Sequence, residues 1–381
     1  MATFALSLLC ENPLKLTGLN SLFREFVARS LRDDESLKWI VFLGPEHQFD
    51  LEHPRLTLVR DYRGNNQLKA RLAADHFKVS PHAKRLGADL LFTIGFVPFV
   101  QSIPTVMHLL TLHHLDRSNQ MDSLRSFYRR WAVENGLRRA KLVITNSQFA
   151  VSQILGAAPH VKSKLIQSYE GIDHAAFQPG CRPEEKDELI AALKIPRDYI
   201  VWLSNLYPYK QPDLFVRAYA KLPASLREKY PIVFVGGDWD GQKAKTKELA
   251  TQLGVGEQVI FPGWVADEWI TPLLRHARLH VMPSREETFG RSVAEAMACG
   301  TPCVVNDIPV MREVTQGAAW VVDFSNEAAA TSALQDALTN ETARTDMIAK
   351  GLRRAADFNF DKLTRERMEV IMPLLRQSSA S

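Results

Sequence analysis

The sequence predicts an α/β protein with two doubly wound, Rossmann-like domains that face each other across a cleft. The chain has 381 residues, which suits about two domains of ordinary size. Apolar runs of strand length alternate with longer amphipathic segments through both halves, which is typical of parallel sheets covered by helices. Hydrophobic residues make up 46% of the chain and charged residues 24%. This composition excludes a disordered chain and favours a globular protein.

The first half contains six predicted strands and two predicted helices. Residues 1–10 are apolar but lack a positively charged start, so a buried strand fits them better than a signal peptide. Helical spacing predicts helices over 18–31 and 121–139. The other strands of this half are predicted at 39–44, 56–59, 89–93, 105–109 and 141–145. Pro98 and Pro104 interrupt the most apolar stretch, so no transmembrane helix is expected.

The second half repeats the alternation of strands and helices. Its strands are predicted at 199–203, 231–235, 258–261, 279–282 and 302–306. Residues 178–183 hold two prolines and a glycine between the halves, which predicts a linker. We therefore predict a first domain over 1–180 and a second domain over 190–359.

Charge and cysteine content limit the functional classes. Residues 1–180 hold 22 Lys and Arg against 16 Asp and Glu, whereas the rest of the chain holds 25 against 27. A basic half suits an anionic membrane surface, a phosphorylated ligand or nucleic acid, or it is simply a solvated surface. No aromatic-basic motif favours nucleic acid, so no nucleic-acid partner is expected. The four cysteines are scattered, which predicts a cytoplasmic protein without a disulfide framework or zinc site.

Residues 278–306 carry the clearest chemical signal. The pattern predicts a strand that ends at Pro283, a loop through Gly290, a helix to Cys299 and a new strand from Cys303. Gly300 stands where a left-handed helix cap is needed. The backbone N–H groups and the dipole at the start of this helix favour an anion, and a diphosphate is the natural ligand.

Glu287 and Glu295 flank that helix start with seven residues between them. Two carboxylates beside a diphosphate would repel it, so they are better suited to accept hydrogen bonds from sugar and ribose hydroxyls. The alternative is that both are exposed acids that the helix dipole favours.

The run from Glu287 to Pro302 resembles the E-x7-E signature of retaining glycosyltransferases of family 4, which have the two-domain GT-B fold. Further segments resemble parts of that family in the same order. They are the donor-phosphate loop at 207–210, the glycine-rich turn at 234–237, the base-contacting loop at 261–265, two segments near the end of the first domain at 146–149 and 170–177, and the closing helix from 360, which returns to the first domain.

The resemblance implies roles for individual residues. Glu287 would bind hydroxyls of the donor sugar and Glu295 the ribose, while Lys210 would neutralise the diphosphate. His113 would lie near the reacting sugar, which makes Glu287, His113 and Lys210 the candidate catalytic residues. The remaining candidate donor-binding residues are Gly18, Asn205, Gly236, Val265, Phe289, Gly290 and Arg291. The family usually has an arginine at the position of Asn205, so leaving-group stabilisation would depend more on Lys210, or on another cation such as Arg285 or Arg291.

The resemblance also implies a co-substrate and a partner. The co-substrate would be a nucleotide-diphosphate sugar, linked to UDP or GDP, and no cofactor is expected. The acceptor would be a glycan or lipid-linked glycan bound mainly to the first domain, and the protein would be peripheral on the inner face of the membrane. Two groups of basic residues mark the acceptor side. They are Lys69, Arg71, Lys78, Lys84 and Arg85, and Arg125, Arg129, Arg130, Arg138, Arg139 and Lys141.

Three alternatives to this assignment stay open. One is a GT-B enzyme of another reaction, such as an epimerase or a phosphorylase, and another is a non-catalytic nucleotide-sugar-binding protein. The third concerns Asp238 and Asp240, a D-x-D pair that binds a metal-nucleotide in a different glycosyltransferase fold. Here a helix-capping or turn role is favoured for the pair, and no metal is expected.

Overall fold

The computed structural model describes residues 2–11, 18–64, 66–110, 124–239 and 241–378. The chain divides into two compact units, of which the first is Met1–Gly171 with Phe360–Ser381 and the second is Ile172–Asn359. The predicted linker at 178–183 is therefore wrong, since it lies inside the second unit. Arg275 holds this segment there, because its Nε donates to the carbonyl of Gln178 at 2.7 Å.

A parallel sheet forms the centre of the first unit. Within the described residues it has seven strands in the order β3-β2-β1-β4-β5-β6-β7, which is the doubly wound order for strands 3-2-1-4-5-6. The strands are β1 Ala2–Ser7, β2 Leu37–Phe42, β3 Leu56–Val59, β4 Leu90–Ile94, β5 Thr105–His108, β6 Leu142–Thr145 and β7 Leu165–Gln167.

Helices pack around this sheet. The helices of the first unit are α1 Gly18–Asp33, α2 Leu68–Phe77, α3 Val79–Arg85, α4 Leu124–Arg139, α5 Gln148–Ala157 and α15 Phe360–Ser378. Phe4, Trp39 and Phe92 are fully buried and contact one another with ring centroids 5.1 to 5.5 Å apart. Because both faces of the sheet are covered, its strands are nearly continuous apolar runs, as the sequence indicates.

The second unit repeats the same winding. Within the described residues its sheet has six parallel strands in the order β10-β9-β8-β11-β12-β13. The strands are β8 Ile200–Leu203, β9 Ile232–Val235, β10 Val259–Gly263, β11 Leu279–Met282, β12 Cys303–Asn306 and β13 Trp320–Val322. The helices are α6 Glu185–Leu193, α7 Pro212–Ala220, α8 Ala224–Lys229, α9 Gln242–Gln252, α10 Ile270–Arg275, α11 Arg291–Ala298, α12 Pro309–Thr315, α13 Glu327–Thr339 and α14 Glu341–Ala355.

Most of the predicted elements agree with the observed ones. The predicted strand at 279–282 coincides with β11, and Gly300 has the predicted left-handed backbone with φ of +76°. The edge strands β7 and β13 were not predicted, because each has three half-buried residues and gives little hydrophobic signal. None of the helices in the described ranges is long and apolar enough to cross a membrane.

Helix α15 belongs to the first unit although it lies at the end of the chain. Arg29 of α1 forms an ion pair with Asp361 at 2.9 Å. The side chain of Arg367 is buried, and it donates to the hydroxyl of Ser168 at 2.9 Å and to the carbonyl of Tyr169 at 3.2 Å. Burial lowers the pKa of Arg367 to about 10, so the guanidinium remains charged at neutral pH. These contacts attach the end of the chain to the segment that follows β7.

We predict that Arg367→Ala lowers the free energy of unfolding by about 2 kcal/mol or more, because it removes the packing of a buried side chain and its charged hydrogen bonds to the half-buried Ser168 hydroxyl and Tyr169 carbonyl. Chemical denaturation of the full chain measures this loss. Arg365→Ala is the matched control, since Arg365 is exposed on the same helix and its loss should cost less than about 0.5 kcal/mol. Equal losses for the two variants would contradict the anchoring role of Arg367.

Candidate functional site

The candidate site lies at the carboxyl ends of the strands of the second sheet. The strands of this sheet are parallel, so the loops that follow β8, β9, β10, β11 and β12 all lie on the carboxyl-terminal side of the sheet. Ligands of such sheets bind beyond the carboxyl ends of the strands. Most of the residues singled out from the sequence lie in these loops.

An ion pair between Lys210 and Glu287 joins the loop after β8 to the loop after β11. The Lys210 Nζ atom lies 2.5 Å from the Glu287 Oε1 atom, and the two side chains are only 13% and 12% exposed. A backbone hydrogen bond of 3.0 Å from Arg285 N to the carbonyl of Tyr209 links the same two loops. The structure therefore brings together a cation and a carboxylate that the sequence separates by 77 residues.

A second ion pair lies on helix α11. Arg291 Nε donates to Glu295 Oε1 at 2.7 Å, and both side chains are largely buried. Gly290 precedes the helix with φ of +85°, and a Cβ atom at this position would lie 2.5 Å from the Cε atom of Met311. Only glycine fits this turn without strain, so the chain can enter α11 directly after the Glu287 loop.

Asn205 has a structural role in this site. Its Oδ1 atom accepts a hydrogen bond from Gly237 N at 2.8 Å, which ties the loop after β8 to the glycine-rich turn after β9. Gly236 has φ of +142°, and its N–H donates to the carbonyl of Gly263 at 3.0 Å. A Cβ atom on Gly236 would lie 2.1 Å from the carbonyl oxygen of Ser204. Three neighbouring loops thus meet at a turn that has no room for a side chain.

Aromatic side chains lie in the two loops that carry the ion pair of Lys210 and Glu287. The rings of Tyr207 and Tyr209 stack with centroids 5.3 Å apart, and Lys210 Nζ lies 5.4 Å from the Tyr209 ring centroid. Burial, together with the nearby Glu287 carboxylate, raises the pKa of Tyr209, so this phenol stays neutral. Phe289 is buried against Phe358, with ring centroids 5.1 Å apart, so only its backbone can face a ligand.

Asn306 is a positioning residue that sequence reasoning did not find. Its Nδ2 atom donates to the carbonyl of Ser284 at 3.2 Å, and its Oδ1 atom accepts from Phe324 N at 3.0 Å. This amide therefore links the loop that contains Glu287 to the segment that follows β13. A polar residue at the end of an otherwise apolar strand is the signal that points to it.

The other predicted residues are distributed as follows. Val265 is buried just after β10, within the edge of loops described above. Gly18 is the first residue of α1 in the first unit. His113 lies outside the described residues.

Two groups of residues have the composition of a metal site, and described members of both contact other groups of the protein. Asp238 Oδ1 accepts from Lys243 N at 2.8 Å at the start of α9, which confirms the predicted helix-start role of Asp238, while Asp240 lies outside the described residues. Cys181, Glu185 and His276 bring ligand atoms within 4.8 Å of one another. However, the Glu185 carboxylate already accepts from Arg275 at 2.7 and 2.8 Å. This arginine supplies the positive charge that a metal would bring.

The loops of the candidate site lie in a region that is similar to known proteins. Residues 185–354 match the model of the family described as glycosyl transferases group 1. The matched region contains the loops with Lys210, Glu287 and Glu295.

Two curated relatives extend the likeness. D-inositol 3-phosphate glycosyltransferase 1 of Catenulispora acidiphila is 31% identical over 236 residues, which cover 58% of this chain and 55% of that protein. O-antigen chain mannosyltransferase B of Escherichia coli is 27% identical over 267 residues, which cover 68% of this chain and 67% of that protein. The chain spans about half the length of the first curated relatives that it matches.

The fold has relatives among solved structures. The crystal structure of HepE from Anabaena, in complex with UDP and glucose, superposes with a TM-score of 0.78 at 20% identity. The superposition covers 98% of this chain and 100% of the Anabaena chain. Together with the two parallel-sheet units, this likeness shows that the chain has the predicted GT-B fold.

We predict that Gly236→Ala destabilises the second unit more than Gly254→Ala does. Both glycines have a positive φ, so both substitutions carry a backbone cost of about 1 kcal/mol. Only at Gly236 would the new Cβ collide with a neighbouring carbonyl, since nothing lies within 4 Å of that position at Gly254. Thermal denaturation of both variants measures the difference, and equal midpoints would contradict the close approach at Gly236.

Proposed function

We propose that the protein is a retaining glycosyltransferase of family 4. It transfers a sugar from a UDP- or GDP-linked donor to a hydroxyl of a glycan or lipid-linked glycan, in the assembly of cell-surface polysaccharide or lipopolysaccharide. The ion pair of Lys210 and Glu287 beside the start of α11, within residues that match a glycosyltransferase family, carries this proposal. The mannosyltransferase named for O-antigen chains and the UDP–glucose complex of HepE support the class of acceptor and donor.

The contact between Lys210 and Glu287 suits a nucleotide sugar. In such a donor the reacting sugar and the diphosphate are bonded neighbours, so their partners must also be neighbours. Lys210 supplies positive charge for the phosphate that leaves, and Glu287 supplies oxygens that accept hydrogen bonds from sugar hydroxyls. Each carboxylate of the site has its own cation nearby, which removes the repulsion that two bare carboxylates would exert on a diphosphate.

The other residues of the site are proposed to contact the ribose, the phosphate and the sugar of the donor. Glu295 binds the ribose, and the backbone N–H groups at Gly290 and Arg291 face the phosphate at the start of α11. Asn205 acts by holding the glycine-rich turn in place, which leaves the charge compensation to cations such as Lys210. For His113, which lies outside the described residues, we propose a contact with the reacting sugar.

The proposed reaction leaves the configuration of the sugar unchanged. The diphosphate departs and the acceptor hydroxyl attacks on the same face of the sugar. The leaving phosphate takes the proton of that hydroxyl, so the protein contributes positioning and charge. No metal takes part in this proposal.

An anionic membrane surface is the proposed partner of the first unit. Phe77, Phe127 and Trp131 on α2 and α4 are 53%, 69% and 41% exposed. Phe99 links two of them, with ring centroids 5.4 Å from Phe77 and 5.1 Å from Trp131. Exposed lysines and arginines lie on or next to helices α2, α3 and α4, and a combination of exposed aromatic and basic residues is the composition that anionic lipid surfaces attract. These residues are Lys69, Lys78, Lys84, Arg85, Arg138 and Lys141.

We predict that the protein transfers sugar from a UDP- or GDP-sugar and that Glu287→Gln lowers the rate by about 100-fold, because the transition state loses an oriented acceptor. Glu286→Gln in the same loop is the matched control, with a change of less than about threefold. Radiolabelled donors and a glycan acceptor measure transfer, with and without EDTA, and EDTA should have no effect. An unchanged rate in Glu287→Gln would contradict the assignment. Nucleotide binding without turnover would favour the non-catalytic alternative. Formation of an isomerised or phosphorolysed sugar would favour the other GT-B reactions.

We predict that the protein sediments with phosphatidylglycerol-containing vesicles and not with pure phosphatidylcholine vesicles, more strongly at low salt. Phe127→Ser and Trp131→Ser should each weaken vesicle binding, since each removes apolar surface that enters the lipid interface. Trp264→Ser is the control, because Trp264 is 46% exposed but lies in the second unit. Binding that ignores the anionic lipid, or that responds equally to Trp264→Ser, would remove the membrane from the proposal.

A further inference from the structure

A cluster of three cationic side chains lies at the amino ends of strands in the second sheet. Arg278 directly precedes β11, Lys229 lies shortly before β9, and Arg344 belongs to the first turn of α14. The strands of this sheet are parallel, so their amino ends lie on the side opposite to the loops of the candidate site. The cluster is therefore separate from the residues that are proposed to bind the donor.

Backbone carbonyl groups hold the two arginines of this cluster in place. Arg344 is only 6% exposed, and its Nη1 atom donates to the carbonyls of Arg278 and Ala337 at 2.9 and 2.7 Å. The Nη2 atom of Arg278 donates to the carbonyl of Leu338 at 2.8 Å. The two guanidinium groups are thus fixed near each other by the backbone, without the help of an acidic side chain.

The carboxylate of Glu341 lies between these two guanidinium groups. Its Oε1 atom accepts a hydrogen bond from Arg278, and its Oε2 atom lies 3.6 Å from the Nε atom of Arg344. The hydrogen bond from Arg278 lowers the pKa of Glu341, and the charges of Arg344 and Lys229 act in the same direction. The Glu341 side chain is nevertheless 69% exposed, so it can rotate into solvent without losing buried contacts.

The charge balance of the cluster is positive. Lys229 forms no ion pair within the described residues, and its Nζ atom lies 5.1 Å from the centroid of the Tyr230 ring. Other carboxylates that neighbour the cluster in sequence do not compensate it. Glu228 is exposed and pairs with none of the three cations, and Asp336 accepts a hydrogen bond from Trp320 Nε1 at 2.8 Å instead. One carboxylate therefore faces three cations.

Two buried nitrogen atoms of the cluster have no hydrogen-bond partner among the described residues. They are the Nε atoms of Arg278 and Arg344. Burial lowers the pKa of Arg344 to about 10, and the nearby Arg278 acts in the same direction, so Arg344 is still charged at neutral pH. Buried donors without acceptors are costly, and guanidinium N–H groups match the oxygens of a phosphate. The start of α14 adds the positive end of a helix dipole at the same place.

We propose that this cluster is a binding site for a phosphate dianion, which takes the place of the Glu341 carboxylate between Arg278 and Arg344. A phosphate carries a charge of about −1.5 to −2 near neutral pH and has more acceptor oxygens than a carboxylate. It therefore satisfies donors that Glu341 leaves without a partner, and Lys229 compensates the additional charge. The proposal does not depend on the proposed sugar transfer, because none of these residues belongs to the donor site.

Calorimetric titration of the full chain with inorganic phosphate, at constant ionic strength, tests this site. We expect phosphate to bind at least about tenfold more tightly than acetate, which only equals the charge of Glu341. Arg278→Gln should weaken phosphate binding by about tenfold or more, and Lys229→Gln by about threefold or more. Glu341→Gln should instead strengthen it by about 3- to 10-fold, because the competing carboxylate is removed.

Control variants locate the binding. Asp346→Asn removes a carboxylate from an exposed position of the same helix and should leave the affinity unchanged. Lys210→Met removes the cation of the donor site and should also leave it unchanged. Thermal denaturation checks that the variants fold, and the exposed Lys229 provides the test if Arg278→Gln does not fold.

Several results would overturn the proposal. They are equal affinity for acetate and phosphate, unchanged affinity in Lys229→Gln and Arg278→Gln, or a failure of Glu341→Gln to strengthen binding. Loss of phosphate binding in Lys210→Met would place the phosphate in the donor site and would also overturn it. Since no transfer is measured, a failure of the proposed transferase activity would not alter these results.

A second arm identifies the source of the phosphate. Glycerol 3-phosphate is titrated into wild type and Glu341→Gln beside inorganic phosphate. Binding at least as tight as that of inorganic phosphate, with the same increase in Glu341→Gln, assigns a small phosphate ester to the site. Weaker binding of the ester assigns inorganic phosphate. Binding of neither probe overturns the proposal.

Discussion

The ion pair between Lys210 and Glu287 is the interaction on which the candidate site depends. Both side chains are nearly nine-tenths buried, and each is stable there because the other compensates its charge. The pair also joins two loops that arise from different strands, so it fixes the distance between these loops. The parallel sheet makes the contact possible by delivering both loops to one edge.

The local balance of charge matters more than the net charge of the second unit. The acidic half of the chain must bind an anion for the proposed reaction to proceed, and Glu287 and Glu295 lie within the site. Each of them has a cation within 2.7 Å, so neither presents an uncompensated negative charge. Asn205 contributes no charge, but it holds the glycine-rich turn that approaches the neighbouring loop closely.

The first unit contains a cavity with a buried ion pair that differs from the pair of Lys210 and Glu287. It holds Arg71 and Asp75 as an ion pair, and among the described residues the buried Nε atom of Arg71 has no hydrogen-bond partner. An internally complete network, such as the one between Lys210 and Glu287, keeps its geometry without a ligand. An incomplete network becomes fully satisfied only when a ligand supplies the missing acceptor. The two units thus carry buried ion pairs of different character on similar sheets.

The amino-acid sequence determined most of the strands, since a buried parallel strand is a continuous apolar run that can be recognised locally, as in Leu279–Met282. It also identified Glu287 and Lys210 as candidates through resemblance. Only the tertiary structure decided that these two residues are in contact. It also decided that Arg275 binds the predicted linker within the second unit, and that Arg71 and Arg129 line the same cavity. The physical reason is that such contacts join residues far apart in the chain, and their distance depends on strand order and packing rather than on any local pattern of residues.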